Sequence, residues 1–75
     1  MSTTTDKPSV FGRDRALLTR MVKVVHRELS VRYRHTDPID TRRGSTFELL
    51  VDGDNPQDAA RRYRVTVELV EVVTP

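Results

Sequence analysis

The segment Arg62–Val73 is the longest β-pattern in the chain and constrains the fold more than any other stretch. From Tyr63 to Leu69, apolar and polar side chains alternate with the period of two that indicates a strand with one buried and one solvated face. After Leu69 the parity changes, because Val70 and Val72 occupy the side that carried polar residues. This change predicts either a bulge or a strand end that is covered on both faces.

The segment from Gly12 to Leu29 shows the helical period instead. Its apolar residues recur at spacings of three and four without an internal proline or glycine, and they form one stripe: Leu17, Leu18, Met21, Val22, Val25 and Leu29. Asp14 in the first turn and Arg27 in the last turn suit the helix dipole. Glu28 falls within the arc of the stripe, where it either reaches water or pairs with an arginine.

Shorter patterns fill the chain between these two segments. Alternation predicts a short strand over Val31–His35 and a second strand over Thr46–Asp52, joined by a connection over Thr36–Gly44. Asn55 followed by proline is typical of a helix start, so a single helical turn is predicted over Pro56–Arg61.

The two later strands are expected to form a hairpin. Their inward side chains must share one face, which fixes the parity of the register. A loop centred near Gln57 would place Val51 opposite Tyr63. The end of the long strand, Val70–Val73, would then overhang, and it either pairs with Val31–His35 or offers an edge to a second chain.

These patterns predict an α+β fold in which one amphipathic helix packs on a small antiparallel sheet of two to three strands. We expect a flexible N-terminal arm over residues 1–10 and a single small domain over residues 11–75. The chain has no cysteine, so neither a disulfide nor a Cys-based zinc site can support so small a core. Self-association or docking on a larger partner is the remaining common way to stabilise so small a core.

Location and cofactors follow from what the sequence lacks. No apolar run approaches the roughly 20 residues needed to cross a bilayer, and the N-terminus has no apolar signal segment. The expected location is cytoplasmic, or within a larger assembly such as a virion. No membrane contact and no cofactor is expected.

Catalytic and metal-binding residues are poorly supplied. The residue types of a hydrolytic triad are present in Ser45, His35 and Asp37. A two-layer domain of this size offers little room for an active-site cleft, so no enzymatic activity is predicted. The run from Asp52 to Asp58 resembles the start of a calcium loop. Pro56 stands where an acidic ligand belongs, so turn and cap chemistry is favoured over metal binding.

Charge is distributed in two poles. Residues 1–44 carry ten basic and five acidic side chains, whereas residues 45–60 carry four acidic side chains and no basic one. The basic side chains opposite the apolar stripe, together with two that follow, would suit phosphates: Arg13, Arg20, Lys23, Arg27, Arg42 and Arg43. A solvated helix face explains the same pattern.

Function is therefore expected to be non-catalytic. The small core, the spare strand edge and the charged poles favour a protein–protein interaction or assembly protein, such as an accessory subunit, a virion-type structural component or a protein inhibitor. The residues expected at its interface are Leu50, Val70, Val72, Val73, Asp52, Asp54 and Asp58. The alternative is a small nucleic-acid-binding module that uses the arginine-rich helix face.

Overall fold

The computed structural model describes residues 10–73. One helix precedes four strands: α1 (Gly12–Ser30), β1 (Arg34–His35), β2 (Ile39–Asp40), β3 (Gly44–Val51) and β4 (Arg61–Glu68). All strand pairings are antiparallel and belong to one sheet, which confirms the predicted α+β class. The sheet has four strands rather than the predicted two to three, because the segment expected to be a connection contains a strand of its own. Nine residues of the predicted arm lie outside the described part. Val10 is buried, and its N–H donates to the Arg42 carbonyl at 2.9 Å.

Strand β3 occupies the centre of the sheet, with β4 on one edge and β1 followed by β2 on the other. His35 faces Leu49 and Ile39 faces Thr46. The outer edge therefore advances four residues, from 35 to 39, where β3 advances only three, from 49 to 46. The extra residue is a bulge. Thr36 spans it, because its N–H donates to the Glu48 carbonyl and its hydroxyl accepts from the Glu48 N–H, both at 2.9 Å.

The predicted strand Val31–His35 is mostly wrong. The helix continues to Ser30, and the N–H groups of Arg32 and Tyr33 close its end by donating to the Leu29 carbonyl. Extended backbone that pairs with β3 therefore begins only at Arg34. The connection predicted over Thr36–Gly44 in turn contains strand β2.

The β3–β4 hairpin has the predicted parity but a shifted register. Leu49, not Val51, faces Tyr63, and Phe47 faces Val65. The reason is a loop centred one residue earlier than expected, at Pro56 rather than Gln57. No helical turn forms over Pro56–Arg61, because the turn closed by the Asp58 N–H and the Asn55 carbonyl ends there and β4 already begins at Arg61.

The core lies between α1 and one face of the β3–β4 hairpin. Val22 packs with Phe47 and Leu49, and partly buried apolar side chains surround them: Val25, Leu29, Val51, Val65 and Val67. The stripe predicted from the sequence is wider than the surface that the helix buries. Leu17 and Met21 are 51% and 39% exposed. Glu28 is also exposed, so of the two alternatives for this residue the structure shows the one in which it reaches water.

Arg15 joins the helix to the β2–β3 turn. Its guanidinium donates to the carbonyls of Gly44 at 2.5 Å and Thr41 at 2.6 Å, and it lies 3.4 Å from the Asp40 carboxylate. The Arg15 side chain is only 24% exposed, so these bonds are partly shielded from water. Helical spacing gave no sign of this role, because Arg15 lies among other arginines in the sequence.

We expect Arg15→Ala to lower the free energy of unfolding by about 1–3 kcal/mol, because two backbone carbonyls and a carboxylate lose a charged donor. Urea denaturation measures the change. Arg13→Ala removes an exposed arginine of the same helix and is the matched control, with an expected change within about 0.5 kcal/mol. Equal effects of the two substitutions would contradict the structural role of Arg15.

Candidate interaction surface

Strand β4 has one unpaired edge within the described part of the chain. β4 pairs only with β3, and the Leu69 N–H continues that pairing by donating to the Arg43 carbonyl at 3.0 Å. Antiparallel alternation then directs every second residue's N–H and C=O away from β3. These outward backbone groups, which we name the β4 edge, belong to Arg62, Arg64, Thr66 and Glu68.

Exposed apolar side chains of the helix lie beside the β4 edge. Leu17, Met21 and Val24 follow helical spacing and are 51%, 39% and 51% exposed; we name them the apolar flank. Leu17 and Met21 also line a cleft of about 140 Å³ together with Glu68, Leu69 and Val70. The cleft places the apolar flank on the β4 side of the helix. The other side, carrying Arg15 and His26, faces β1 and β2.

The predicted interface residues do not form one patch. Val70, Val72 and Val73 are exposed, 64–79% by residue, and follow β4 without continuing it as a strand. The strand predicted to run to Val73 therefore ends at Glu68, and this segment is neither a bulge of the strand nor covered on both faces by described residues. Leu50 is half-buried on the sheet face away from the helix, between Arg34 and Arg62 in the register. The apolar flank was missed as an interface, because its spacing alone resembles that of core residues.

The sheet face away from the helix is polar. Arg64 and Arg62 approach the Glu48 carboxylate at 3.5 and 3.9 Å. The hydroxyls of Thr46 and Thr66 lie 3.1 Å apart across the β3–β4 pair. A shallow groove of about 580 Å³ crosses this face, and its lining includes Glu48, Arg64, Thr66 and Ile39. No aromatic stacking platform is present among the residues exposed on this face in the described chain.

In the loop between β3 and β4, which we name the acidic loop, two of the three carboxylates form ion pairs within the chain. Asp52 forms an ion pair with Arg34, and Asp58 lies 3.3 Å from the Arg61 guanidinium. The Asp58 carboxylate also accepts from the Asp54 N–H at 2.9 Å, while the Asn55 side chain accepts from the Gln57 N–H. Of the three predicted interface carboxylates, only that of Asp54 makes no hydrogen bond or ion pair with a described residue.

The basic helix face is disposed as predicted. Arg13, Arg20, Lys23 and Arg27 are all exposed on the outer side of α1, and none forms an ion pair with a described residue; we name them the basic ridge. Arg42 and Arg43 lie apart from the ridge, in the turn between β2 and β3. Their carbonyls bind backbone N–H groups, and Arg43 is half-buried.

The histidines support the fold around β1. The His26 ring donates to the Thr36 carbonyl at 3.1 Å and meets the rings of His35 and Phe47 edge-on, with centroids 4.8 and 4.9 Å away. Ser45 faces Asp40 while His35 faces Leu49, four positions away along β3. This spacing is roughly 13 Å, so the three triad residue types do not meet.

Metal binding and membrane insertion find no support in residues 10–73. No cluster of three or more His, Asp or Glu side chains there is suited to a metal ion. The described helix is not long and apolar enough to cross a membrane.

Comparison with known protein families, curated proteins and solved structures finds no significant match to this chain. Function is therefore inferred from geometry and charge.

The Asp58 carboxyl has a pKa below its ordinary value of 3.8, chiefly because the Asp54 N–H donates to the carboxylate and secondarily because Arg61 does. A group whose pKa is lower in the folded state stabilises the fold above its unfolded-state pKa. That contribution is lost as pH falls through the folded-state pKa.

We therefore expect Asp58→Asn to lower the urea midpoint at neutral pH and to leave a flatter pH dependence in the acidic range, where the variant and the parent converge. Asp54→Asn makes the same change in charge at a carboxylate without a described partner, and it should leave the profile nearly unchanged. Parallel profiles for the parent and Asp58→Asn would contradict the role of the lowered pKa.

Proposed function

We propose that this protein is a non-catalytic interaction or assembly protein that joins a second protein chain along the β4 edge. The observation that carries the proposal is the adjacency of the β4 edge and the apolar flank. Strand addition would satisfy the outward N–H and C=O groups, and the flank would contribute apolar burial beside them.

The small core supports association over an isolated monomer. Only five hydrophobic residues of the described chain are buried: Val10, Leu18, Val22, Phe47 and Leu49. Without cysteine, the chain cannot add a disulfide to so small a core. Burying the apolar flank would add roughly 25 cal/mol per Å² of apolar area removed from water. Association would thus extend the hydrophobic core on the side where α1 leaves it uncovered.

The charged poles take a smaller part in this proposal than the sequence suggested. Asp52 and Asp58 already have arginine partners in the chain, so the acidic loop offers less unbalanced charge to another subunit. Exposed ion pairs of this kind also contribute little, about 0–1 kcal/mol each. The strand edge and the apolar flank are therefore the main determinants of the proposed contact.

Thr66→Pro tests strand addition. The Thr66 N–H points away from β3, so proline removes a donor only from the β4 edge and is compatible with an edge strand. We expect a defined oligomer of the parent protein to shift to monomer, with the far-UV circular dichroism retained. Light scattering behind a sizing column, after nuclease treatment and at low and high salt, gives the mass.

Thr66→Val is the matched control, since it loses the hydroxyl but keeps the N–H, and it should remain associated. Loss of association in Thr66→Val as well would assign the effect to the side chain. A parent protein that stays monomeric up to about 100 μM, where dimers of micromolar Kd form, would exclude self-association. Failure to bind any other protein as well would refute the proposed function.

A second candidate function is nucleic-acid binding through the basic ridge. The supporting observation is that its four cations have no ion-pair partner among the described residues. Phosphates at these positions would give an affinity that falls steeply with salt, with a slope of about 0.9 per neutralised phosphate for duplex DNA. The scarcity of exposed aromatic residues weighs against single-strand stacking.

The double variant Arg20→Glu with Arg27→Glu should weaken such binding strongly and reduce its salt dependence. Arg34→Glu with Arg62→Glu makes the same change in net charge on the other face of the molecule and should weaken binding less. Titration of labelled DNA and RNA at several salt concentrations measures both. Unchanged binding by the first pair would eliminate this candidate.

A further inference from the structure

We infer that the chain docked on the β4 edge is a second copy of this protein, related by a two-fold axis that passes beside Thr66. This inference rests on the proposed function and adds to it a partner and a register. A two-fold contact requires a surface that is complementary to itself. The sequence of β4 satisfies that requirement in one alignment better than in its neighbours.

The geometry of an antiparallel β4–β4 pair limits the alignments. The outward residues of one copy must face outward residues of the other, since only they have backbone groups directed to the new strand. Placing the axis beside Thr66 sets Thr66 opposite itself. Arg64 of each copy then faces Glu68 of the other, and two cross-strand ion pairs form by symmetry.

Neighbouring alignments are less complementary. An axis beside Arg64 sets Arg64 against its own copy, which is repulsive. An axis beside Val67 sets Glu68 against Thr66 and Arg64 against Val70, so no ion pair forms. Only an axis beside Val65 competes, because it sets Arg62 opposite Glu68.

The apolar flank distinguishes the two remaining alignments. Leu17 and Met21 line a cleft with Glu68, Leu69 and Val70, so the flank is level with the end of β4 rather than its start. Helices on the two copies are brought together at the axis. An axis nearer that end of β4 brings the flanks closer to each other, which favours Thr66 over Val65.

The same alignment continues the apolar surface on the helix side of the sheet. Side chains that face the helix alternate with the outward residues, so Val65 of one copy lies opposite Val67 of the other. Tyr63, which is half exposed in the single chain, lies opposite Leu69. Two helices, one from each copy, would then cover one continuous sheet, with Leu17, Met21 and Val24 of each facing the other across the axis.

Charge exchange tests the pairing. Arg64→Glu and Glu68→Arg should each weaken the homodimer by about tenfold or more, because symmetry alters two contacts at once. Mixing the two variants should restore dimerisation, since both contacts of the mixed dimer then join opposite charges. The matched control is Arg62→Glu, which keeps both Arg64–Glu68 contacts and should dimerise with itself like the parent protein. Mixed with Glu68→Arg, it should form the mixed dimer more weakly than Arg64→Glu does, because one contact of that dimer joins Arg64 to the new arginine. Analytical ultracentrifugation measures the dissociation constants, and circular dichroism confirms that each variant is folded.

Single cysteines test the axis without relying on charge. The natural chain has none, so Thr66→Cys introduces one thiol per copy. Directly opposed residues of a hydrogen-bonded pair have Cα atoms about 5.5 Å apart, which is within disulfide range. Thr66→Cys should form a covalent dimer on mild oxidation, as seen on non-reducing gels, whereas Arg62→Cys should not.

The outcomes separate this inference from the proposed function. Loss of the dimer in Arg62→Glu alone with restoration by Glu68→Arg, or failure of Thr66→Cys to crosslink while the parent protein remains dimeric, would overturn the Thr66 alignment and leave association by β4 intact. A monomeric parent protein would overturn the two-fold dimer. Loss of dimerisation in Thr66→Pro, together with Thr66→Cys crosslinking and rescue by the Arg64→Glu mixture, would establish it.

Discussion

The packing of α1 on β3 is the contact on which the rest of the structure depends. Val22 meets Phe47 and Leu49, and β3 is the only described strand with hydrogen-bonded neighbours on both edges. The other three described strands all pair with β3, and β4 also contributes Val65 and Val67 to the core. The short strands β1 and β2, two residues each, are held by that pairing and by the hydrogen bond that the Thr36 hydroxyl accepts from the Glu48 N–H. Weakening the α1–β3 contact would therefore loosen the whole sheet.

Because the core is centred on β3, part of the apolar surface of α1 is left uncovered on the β4 side. The helix buries Leu18 and Val22, but its apolar surface extends further round, to Leu17, Met21 and Val24, where the sheet beneath is ending. Apolar side chains and unsatisfied strand groups are thus exposed at the same margin. Each is tolerated singly on protein surfaces, but together they are typical of an interface. The proposed second copy would cover both at once, because its own margin has the same composition.

Charge contributes to specificity more than to the stability of this arrangement. The acidic loop is largely balanced within the chain, through Asp52 with Arg34 and Asp58 with Arg61. In the proposed dimer, Arg64 and Glu68 select one alignment among several with similar backbone hydrogen bonding. The basic ridge lies on the outer side of the helix layer, away from the β4 edge, so the proposed dimer would leave it accessible. Association and binding to a polyanion are therefore compatible on this fold.

The sequence by itself determined the elements in which the spacing of apolar residues indicates which side chains are buried. Helical spacing located α1 to within one residue, and alternation located β3, the start of β4 and the parity of their pairing, because these patterns are local. The end of β4 at Glu68, five residues before the predicted end, did not follow from the pattern. The tertiary structure alone decided what depends on distant residues: the β3–β4 register, the bulged edge formed by β1 and β2, the clamp made by Arg15, and the exposure of the apolar flank. A spacing of three and four shows that side chains share a helix face, but the width of the sheet beneath decides how many of them are buried.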